Sequence, residues 1–140
     1  MAIAIGGMAP LLQVYDMPTA VRFYRDVLGF ELVTSSKPLS DDPIDFHWGM
    51  LRLNGVTVML NTAYDEGERP PRPDAARQAT HDDTCLYFGC GDLDSVYEHL
   101  RSHGVTLDPP KTAWYGMRQL TLRDPDGFAL CFQHPVEPPG

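Results

Sequence analysis

The chain has 140 residues and a mass of 15.6 kDa, which is typical of one globular domain, and its 43% hydrophobic and 21% charged residues argue against a disordered protein. Nineteen acidic residues against eleven basic ones give a formal charge of −8, which disfavours contact with nucleic acid phosphates or anionic membrane surfaces. We therefore expect no nucleic acid and no membrane partner, and a small-molecule ligand that is not strongly anionic.

The sequence shows no recognisable targeting segment, and its cysteine content favours the cytoplasm. Residues 1–8 are mildly apolar but lack the positive charges of a signal peptide, and Pro, Asp or Gly interrupts every apolar run before the roughly 20 residues that a membrane helix needs. The three cysteines, Cys85, Cys90 and Cys131, form no CxxC pair and are odd in number, which is typical of free thiols in a reducing compartment. We expect a cytoplasmic protein.

The first half of the chain predicts the element order βαβββ. An alternating strand over residues 11–15 precedes Asp16, a candidate helix N-cap, and the amphipathic stretch behind it ends at Gly29. Three strands follow, over residues 30–35, 46–53 and 56–61. The Asn54-Gly55 pair between the last two strands favours a type I′ hairpin turn.

The second half of the chain repeats this order. A strand over residues 84–89 leads to Asp92, a second candidate N-cap, and the helix behind it ends near Gly104. Three strands follow, a short one around Thr106 and longer ones over residues 118–123 and 128–133. Because each half is too small to bury its sheet well alone, we expect the two halves to pair.

The domain organisation follows from this repeat. We expect a single domain over residues 1–140, made of a module over 8–62, a module over 84–134 and a linker over 63–83. The linker is rich in Pro, Arg, Glu and Asp and is expected to carry a short helix near residues 75–78. The tail after residue 134 is expected to be frayed.

Four short runs accompany the internal repeat. They are FYRDVLGF from Phe23 to Phe30, DLD at Asp92, YGMR at Tyr115 and DPDGF from Asp124 to Phe128. In this combination they resemble the vicinal oxygen chelate superfamily, which includes glyoxalases, bleomycin resistance proteins and extradiol dioxygenases. The resemblance covers nearly the whole chain. It implies an α+β fold in which two βαβββ modules with curved mixed sheets form a cleft, usually completed by a second subunit, so we expect a homodimer. Pairing of modules within one chain or by exchange between two chains stays open.

The resemblance also implies four metal-ligand positions, one on the first and one on the fourth strand of each module, filled in the metal enzymes by His, Glu or Gln. On this sequence these positions fall at Ala9, Met59, Cys85 and Cys131, and a shifted register would replace Met59 by Asn61. Ala has no donor atom and Met has only a thioether sulfur, which does not suit a hard divalent cation. Two thiolates supply only half of the ligands of a tetrahedral zinc site. We therefore expect no metal and no other cofactor.

Strand alternation gives each sheet one face toward a helix and one face toward the cleft. In the first module the cleft face is predicted to be a pocket wall of polar, aromatic and methionine side chains. These candidate ligand-binding residues are Gln13, Phe46, Trp48, Met50, Met59 and Asn61. The alternative for Gln13 is a hydrogen bond inside the protein, and the alternative for Trp48 is a place in the core.

In the second module the candidate ligand-binding residues are Tyr87, Trp114 and Tyr115. Metal-free members of the superfamily that bind flat aromatic drugs carry a stacking aromatic at the position of Tyr115, so the resemblance implies that role here. Stacking contributes about 0.5–1.5 kcal/mol beyond area burial. Cys85 and Cys131 are expected on the same face, but no His stands nearby to activate a thiol, and we predict no catalytic residue.

The leading hypothesis is a metal-free, bleomycin-resistance-like homodimer that sequesters an aromatic or cationic small molecule, with the negative net charge favouring a cation. The alternative is a metal-dependent lyase, epimerase or dioxygenase of the same superfamily, whose ion is held by Cys85, Cys131 and either His81 or Gln13. A third interpretation is a structural or regulatory dimer with a closed cleft. Whether the protein is an enzyme therefore stays open.

Overall fold

The computed structural model describes residues 1–137, and the chain divides into two units, Met1–Pro73 and Asp74–Gly140. Each unit contains one four-stranded mixed sheet with one packed helix, so the α+β class predicted from the sequence is confirmed. No helix among the described residues has the length and apolar character needed to cross a membrane. The two units are described in turn.

The first unit contains four strands and one helical segment. In chain order these are β1 (Leu11–Val14), α1 (Met17–Arg22), a π-helical turn (Phe23–Val27), β2 (Glu31–Ser35), β3 (Trp48–Leu53) and β4 (Val56–Thr62). The sheet order is β1-β4-β3-β2, with β1 parallel to β4 and the other neighbours antiparallel. This is the predicted βαβββ order.

The start of α1 is fixed by a side chain that the sequence predicted as its cap. The Asp16 carboxylate accepts hydrogen bonds from the backbone N–H of Thr19 at 3.1 Å and from its hydroxyl at 2.5 Å. Pro18 stands in the first turn, where its missing N–H has no helical partner to lose. Beyond the π-helical turn, Gly29 adopts a φ of +93°, a conformation that favours glycine, and ends the helical segment.

The core of the first unit follows the predicted alternation. Alternate residues of the strands and one face of α1 are buried together: Leu12, Val14, Met17, Ala20, Val21, Leu51, Val58 and Leu60. Full burial of a Leu or Val side chain contributes about 1.5–3 kcal/mol, so this layer accounts for much of the stability of the unit.

Phe46 corrects one prediction. It was expected on the cleft face with Trp48, but its side chain is 0% exposed and belongs to the core. The reason is that β3 begins at Trp48 rather than at residue 46, so strand alternation does not extend back to Phe46. Its ring fills the space over Gly49, where a Cβ would lie 2.6 Å from a ring carbon.

The second unit repeats the strand order after two short helical turns. Its elements are α2 (Ala75–Thr80), a 3₁₀ turn (His81–Asp83), β5 (Cys85–Gly89), α3 (Leu93–Ser102), β6 (Lys111–Thr112), β7 (Met117–Arg123) and β8 (Ala129–Pro135). The sheet order is β5-β8-β7-β6, again with the first and last strands parallel. Asp92 caps α3 as predicted and accepts from the N–H of Ser95 at 3.1 Å.

The short strand predicted around Thr106 is wrong. The strand is β6, Lys111–Thr112, and it pairs with Gln119 and Arg118 of β7. Its position is set by the hairpin that connects it to β7, in which the Ala113 N–H donates to the Met117 carbonyl at 2.7 Å. Pairing across a turn of this kind depends on the partner strand, which local sequence patterns around Thr106 do not report.

The end of the chain also differs from the prediction. Pro135 was expected to belong to a frayed tail, but it is the last residue of β8 and pairs with Met117. The Val136 N–H donates to the Gly116 carbonyl at 2.9 Å, which extends this pairing by one residue. The last three residues of the predicted tail, 138–140, lie outside the described residues.

Candidate functional site

The face of the first sheet opposite its buried layer, here called the first open face, contains five of the six predicted residues of this unit. Gln13 of β1 and Trp48 of β3 both lie beside Asn61 of the central strand β4. The Asn61 side-chain N–H donates to Gln13 Oε1 at 3.2 Å. The three side chains therefore form a row of two amides and one indole across neighbouring strands.

A second row on the first open face is apolar. Met59 of β4 pairs with Leu11 on one side and with Met50 on the other. The two methionines are half-buried, and Leu11 is exposed. Thioether side chains adapt to irregular shapes, which suits a surface that contacts a ligand. The face thus combines a polar row with an adaptable apolar one.

The corresponding face of the second sheet, the second open face, brings together Tyr87, Gln119, Cys131 and Gln133. Tyr87 of β5 pairs with Cys131 of β8, and Gln133 of β8 pairs with Gln119 of β7. The Gln119 amide N–H donates to Gln133 Oε1 at 3.0 Å and to the Tyr115 hydroxyl at 2.7 Å. Gln119 therefore connects the aromatic loop to the sheet.

Three aromatic side chains of the second unit are exposed. Trp114 is 95% exposed, Tyr87 59% and Tyr115 51%. Trp114 and Tyr115 contact each other edge to face, with ring centroids 5.3 Å apart. Both rings lie in the turn between β6 and β7, which includes Gly116 with a φ of +83°. Aromatic side chains exposed in a cluster are typical of a binding surface.

The two cysteines of the second open face are poor nucleophiles. Burial raises the pKa of the Cys85 thiol, although a hydrogen bond from Tyr87 opposes this effect. Burial likewise raises the pKa of Cys131, which is 2% exposed. The two thiols in turn raise the pKa of Tyr87. Because a thiolate is the reactive form, both cysteines are predominantly unreactive thiols at neutral pH.

Sequence reasoning missed Gln119, the residue that links most of the second open face. The available signal was alternation along β7, which places Gln119 on the same face as Thr121 and opposite the buried Leu120 and Leu122. Its hydrogen bond to Tyr115 depends on the hairpin turn and carries no comparable signal. Trp114 and Tyr115 were predicted as candidates, and the structure places Tyr115 beside the second open face.

A separate cavity of about 400 Å³ lies entirely within the first unit, near the start of α1. None of the predicted ligand-binding residues lines it. Its lining consists of Asp16, Pro18, Leu39, Asp45, His47, Tyr64, Asp65, Glu66, Gly67 and Arg69. Four of these residues carry carboxylates, so the lining of this cavity is acidic.

The four superfamily metal positions do not fit the metal-ligand set of the enzymes. In the first unit they hold Ala9, which has no donor atom, and Met59, a thioether. In the second unit Cys85 and Cys131 supply two neutral thiols. Among residues 1–137 no group of three or more His, Cys, Asp or Glu side chains is arranged to hold a metal ion. Of the two further ligands proposed for the metal-dependent alternative, His81 forms a hydrogen bond with the Asp126 carbonyl at 2.7 Å and stacks on Phe128, and Gln13 accepts a hydrogen bond from Asn61.

The sequence matches the family model of the Glyoxalase/Bleomycin resistance protein/Dioxygenase superfamily over residues 6–132. The chain belongs to this superfamily. The match spans both sheets and the segment between them, in agreement with the repeated βαβββ order of the two units.

Several known proteins resemble the chain over most of its length. It is 32% identical to the uncharacterised protein YaeR of Escherichia coli K12, over 82% of this chain and 84% of that protein. It is 28% identical to a bleomycin resistance protein of Geobacillus stearothermophilus, over 88% and 92% of the two chains. The structure of TnmS3, an antibiotic binding protein from Streptomyces sp. CB03234, shares the fold with a TM-score of 0.69 and 22% identity, over 96% of this chain and all of TnmS3.

Proposed function

We propose that this protein binds a small aromatic molecule and sequesters it without changing it. The observation that carries the proposal is the exposure of three aromatic side chains of the second unit, Tyr87, Trp114 and Tyr115, with Tyr115 hydrogen-bonded to the second open face through Gln119. Tyr and Trp side chains have few rotatable bonds, so they lose less conformational entropy than long flexible side chains when a flat ligand stacks on them. Exposed aromatic rings are therefore suited to binding.

Similarity to known proteins supports a binding role. A bleomycin resistance protein is 28% identical to this chain over nearly the whole length of both, and TnmS3, which shares the fold, is an antibiotic binding protein. The raised pKa values of Cys85 and Cys131 also favour binding over thiol catalysis. We further propose that the protein acts in the cytoplasm as a homodimer without a resident metal ion, as the resemblance and the free thiols favour.

Calorimetric titration with bleomycin and a panel of flat aromatic molecules tests the proposal. We expect binding below millimolar concentration for at least one compound. Tyr115→Ala and Trp114→Ala should each weaken it by about 2- to 10-fold through lost stacking. Tyr97→Ala removes an aromatic from α3, outside the open face, and serves as the matched control. Absence of binding by the whole panel would contradict the proposal.

Metal analysis tests the enzymatic alternative separately. Protein purified without chelator should hold no stoichiometric Zn, Ni, Fe or Mn after dialysis. A retained, stoichiometric ion that is lost from a Cys85→Ser variant would instead support the metal-dependent enzyme, with Cys90→Ser as the control cysteine substitution.

A further inference from the structure

We propose that each open face binds an uncharged planar aromatic molecule with hydrogen-bonding groups along its edge, recognised by the amide pair of that face, Gln13–Asn61 on the first and Gln119–Gln133 on the second. This inference rests on the proposed function and names its ligand class. It replaces the cationic ligand that the net charge favoured. The argument depends on where the charges lie and on what stands beside the aromatic rings.

The acidic residues are distributed unevenly between the strands and the rest of the described chain. Among the described strands, Glu31 is the only Asp or Glu residue, and the other carboxylates lie on helices and loops. Glu31 lies opposite Arg52 in the register of β2 and β3, and Arg123 forms an ion pair with Asp82. The charged groups at the sheet margins are therefore balanced by neighbours of opposite sign.

A balanced face does not favour a charged ligand. Attraction between exposed charges in salt weakens over a distance of about 8–10 Å, so a carboxylate attracts a bound cation appreciably only where it lies close to it. A cation that stacked on Trp48 or Tyr115 would lose water on one side without gaining a carboxylate partner from the strands. An uncharged ring avoids this cost.

The second open face offers hydrogen bonds instead of charge. A primary amide carries two N–H donors and an oxygen that accepts twice. Gln119 donates to Tyr115 and Gln133, and Gln133 accepts from Gln119. These contacts use both N–H donors of Gln119 and leave its oxygen able to accept, while Gln133 keeps its own N–H donors. A ligand stacked beside Tyr115 can therefore form edge hydrogen bonds of both kinds.

The first open face repeats this combination. The Gln13–Asn61 amide pair lies in the same row as the Trp48 indole. Asn61 and Gln133 each stand two residues after the fourth-strand metal position of their module, Met59 and Cys131. Both units thus place an amide at the same point of the last strand, hydrogen-bonded to a second amide. Imides, lactams and ring carboxamides are the ligand groups that match such pairs.

Three fluorescent compounds with three fused rings but different charge test the inference by polarisation titration. Lumichrome is uncharged and has an imide edge, proflavine is a cation, and anthracene-2-sulfonate is an anion. We expect lumichrome to bind at least about 10-fold more tightly than either ion. Gln119→Leu should weaken lumichrome binding by about 3- to 10-fold, as expected for lost hydrogen bonds, and change proflavine binding by less than about 2-fold.

Two further variants keep the test decisive. Gln119→Glu preserves size and adds a carboxylate, so it should shift the preference toward proflavine; Gln78→Leu removes an amide from α2 and should change neither titration. Proflavine binding as tightly as lumichrome, or equal binding of all three compounds, would overturn the inference and leave the proposed function intact. Failure of every compound, bleomycin included, would instead overturn the proposed function. Circular dichroism of each variant verifies its fold.

Discussion

The guanidinium of Arg69 lies 2.6 Å from the carboxylate of Asp16, which stands 53 positions earlier in the chain. Arg69 also lies over the Tyr15 ring, 5.1 Å from its centroid, and the Tyr15 hydroxyl donates to the Pro70 carbonyl at 2.7 Å. The segment that follows β4 is therefore fastened to the start of α1. Asp16 serves both as helix cap and as the partner of this segment.

Asp16 should stabilise the protein through two separable contributions, the helix cap and the ion pair with Arg69. Asp16→Ala removes the cap and the ion pair and should lower the free energy of unfolding by about 1–2 kcal/mol. Asp16→Asn keeps a good cap and loses only the ion pair, so its effect should be below about 1 kcal/mol because the pair is partly exposed. Urea denaturation measures both. Equal effects of the two substitutions would show that the cap contributes nothing.

The same carboxylate predicts a pH dependence. Partial burial raises the pKa of Asp16, but the hydrogen bonds from Thr19 and the contact with Arg69 outweigh it, so the folded-state pKa lies below the ordinary value of 3.8. Its contribution is therefore complete above the unfolded-state pKa and is lost as the pH falls through the folded-state value. The stability difference between wild type and Asp16→Asn should shrink below about pH 4. A constant difference down to pH 2.5 would contradict this.

Two glycines with similar backbone angles should respond differently to substitution. Gly29 and Gly127 have φ values of +93° and +88°. A Cβ at Gly29 meets nothing within 4 Å, whereas at Gly127 it lies 2.9 Å from the Gln78 carbonyl oxygen. Gly29→Ala should cost about 1–2 kcal/mol from backbone strain alone, and Gly127→Ala clearly more. Thermal unfolding of the two variants compares them, and the reverse order would refute the contact.

Phe46→Leu should lower stability and leave ligand binding unchanged. Phe46 is fully buried over Gly49, so loss of its ring should cost about 1–3 kcal/mol. Because Phe46 does not lie on the first open face, the dissociation constant for a bound aromatic compound should stay within about 2-fold of wild type at temperatures where the variant is folded. A large loss of affinity without loss of stability would instead indicate that Phe46 contacts the ligand.

Thiol alkylation should distinguish the cysteines. Burial raises the pKa values of Cys85 and Cys131 above the ordinary thiol value of 9.0, and the thiolate is the species that reacts. The rate of Cys85 modification by iodoacetamide should therefore rise at a higher pH than that of a free cysteine peptide. Cys131, which is 2% exposed, should react only after unfolding. Mass spectrometry after timed quenching reports each site, and rapid labelling of Cys131 at pH 7 would disprove its burial.

Local sequence signals predicted what depends on local structure. Asp16 and Asp92 were recognised as caps because the capping residue and the helix it starts are adjacent in the chain. Alternation in β4 separated the buried Val58 and Leu60 from Met59 because side chains of a strand alternate between two faces. These features identified the fold and most of the first open face.

The remaining features depend on contacts that no local pattern reports. The start of β3 at Trp48 removed Phe46 from the open face, and the position of β6 followed from its pairing with Gln119. The net charge of −8 favours a cationic ligand, but a sum over the chain does not report where each charge lies. Assignment of residues to strands was needed to show that Glu31 is the exception among described strand residues.

Apart from Glu31, the carboxylates of the described residues lie on helices and loops, and this placement separates two properties that selection acts on. Colloidal behaviour of the protein depends on the acidic segments, whereas the proposed recognition depends on strands that are almost free of acidic residues. Substitutions that alter the isoelectric point can therefore accumulate on loops without changing the ligand. Relatives with very different isoelectric points can share one ligand class, and similarity in overall charge is a poor guide to shared specificity.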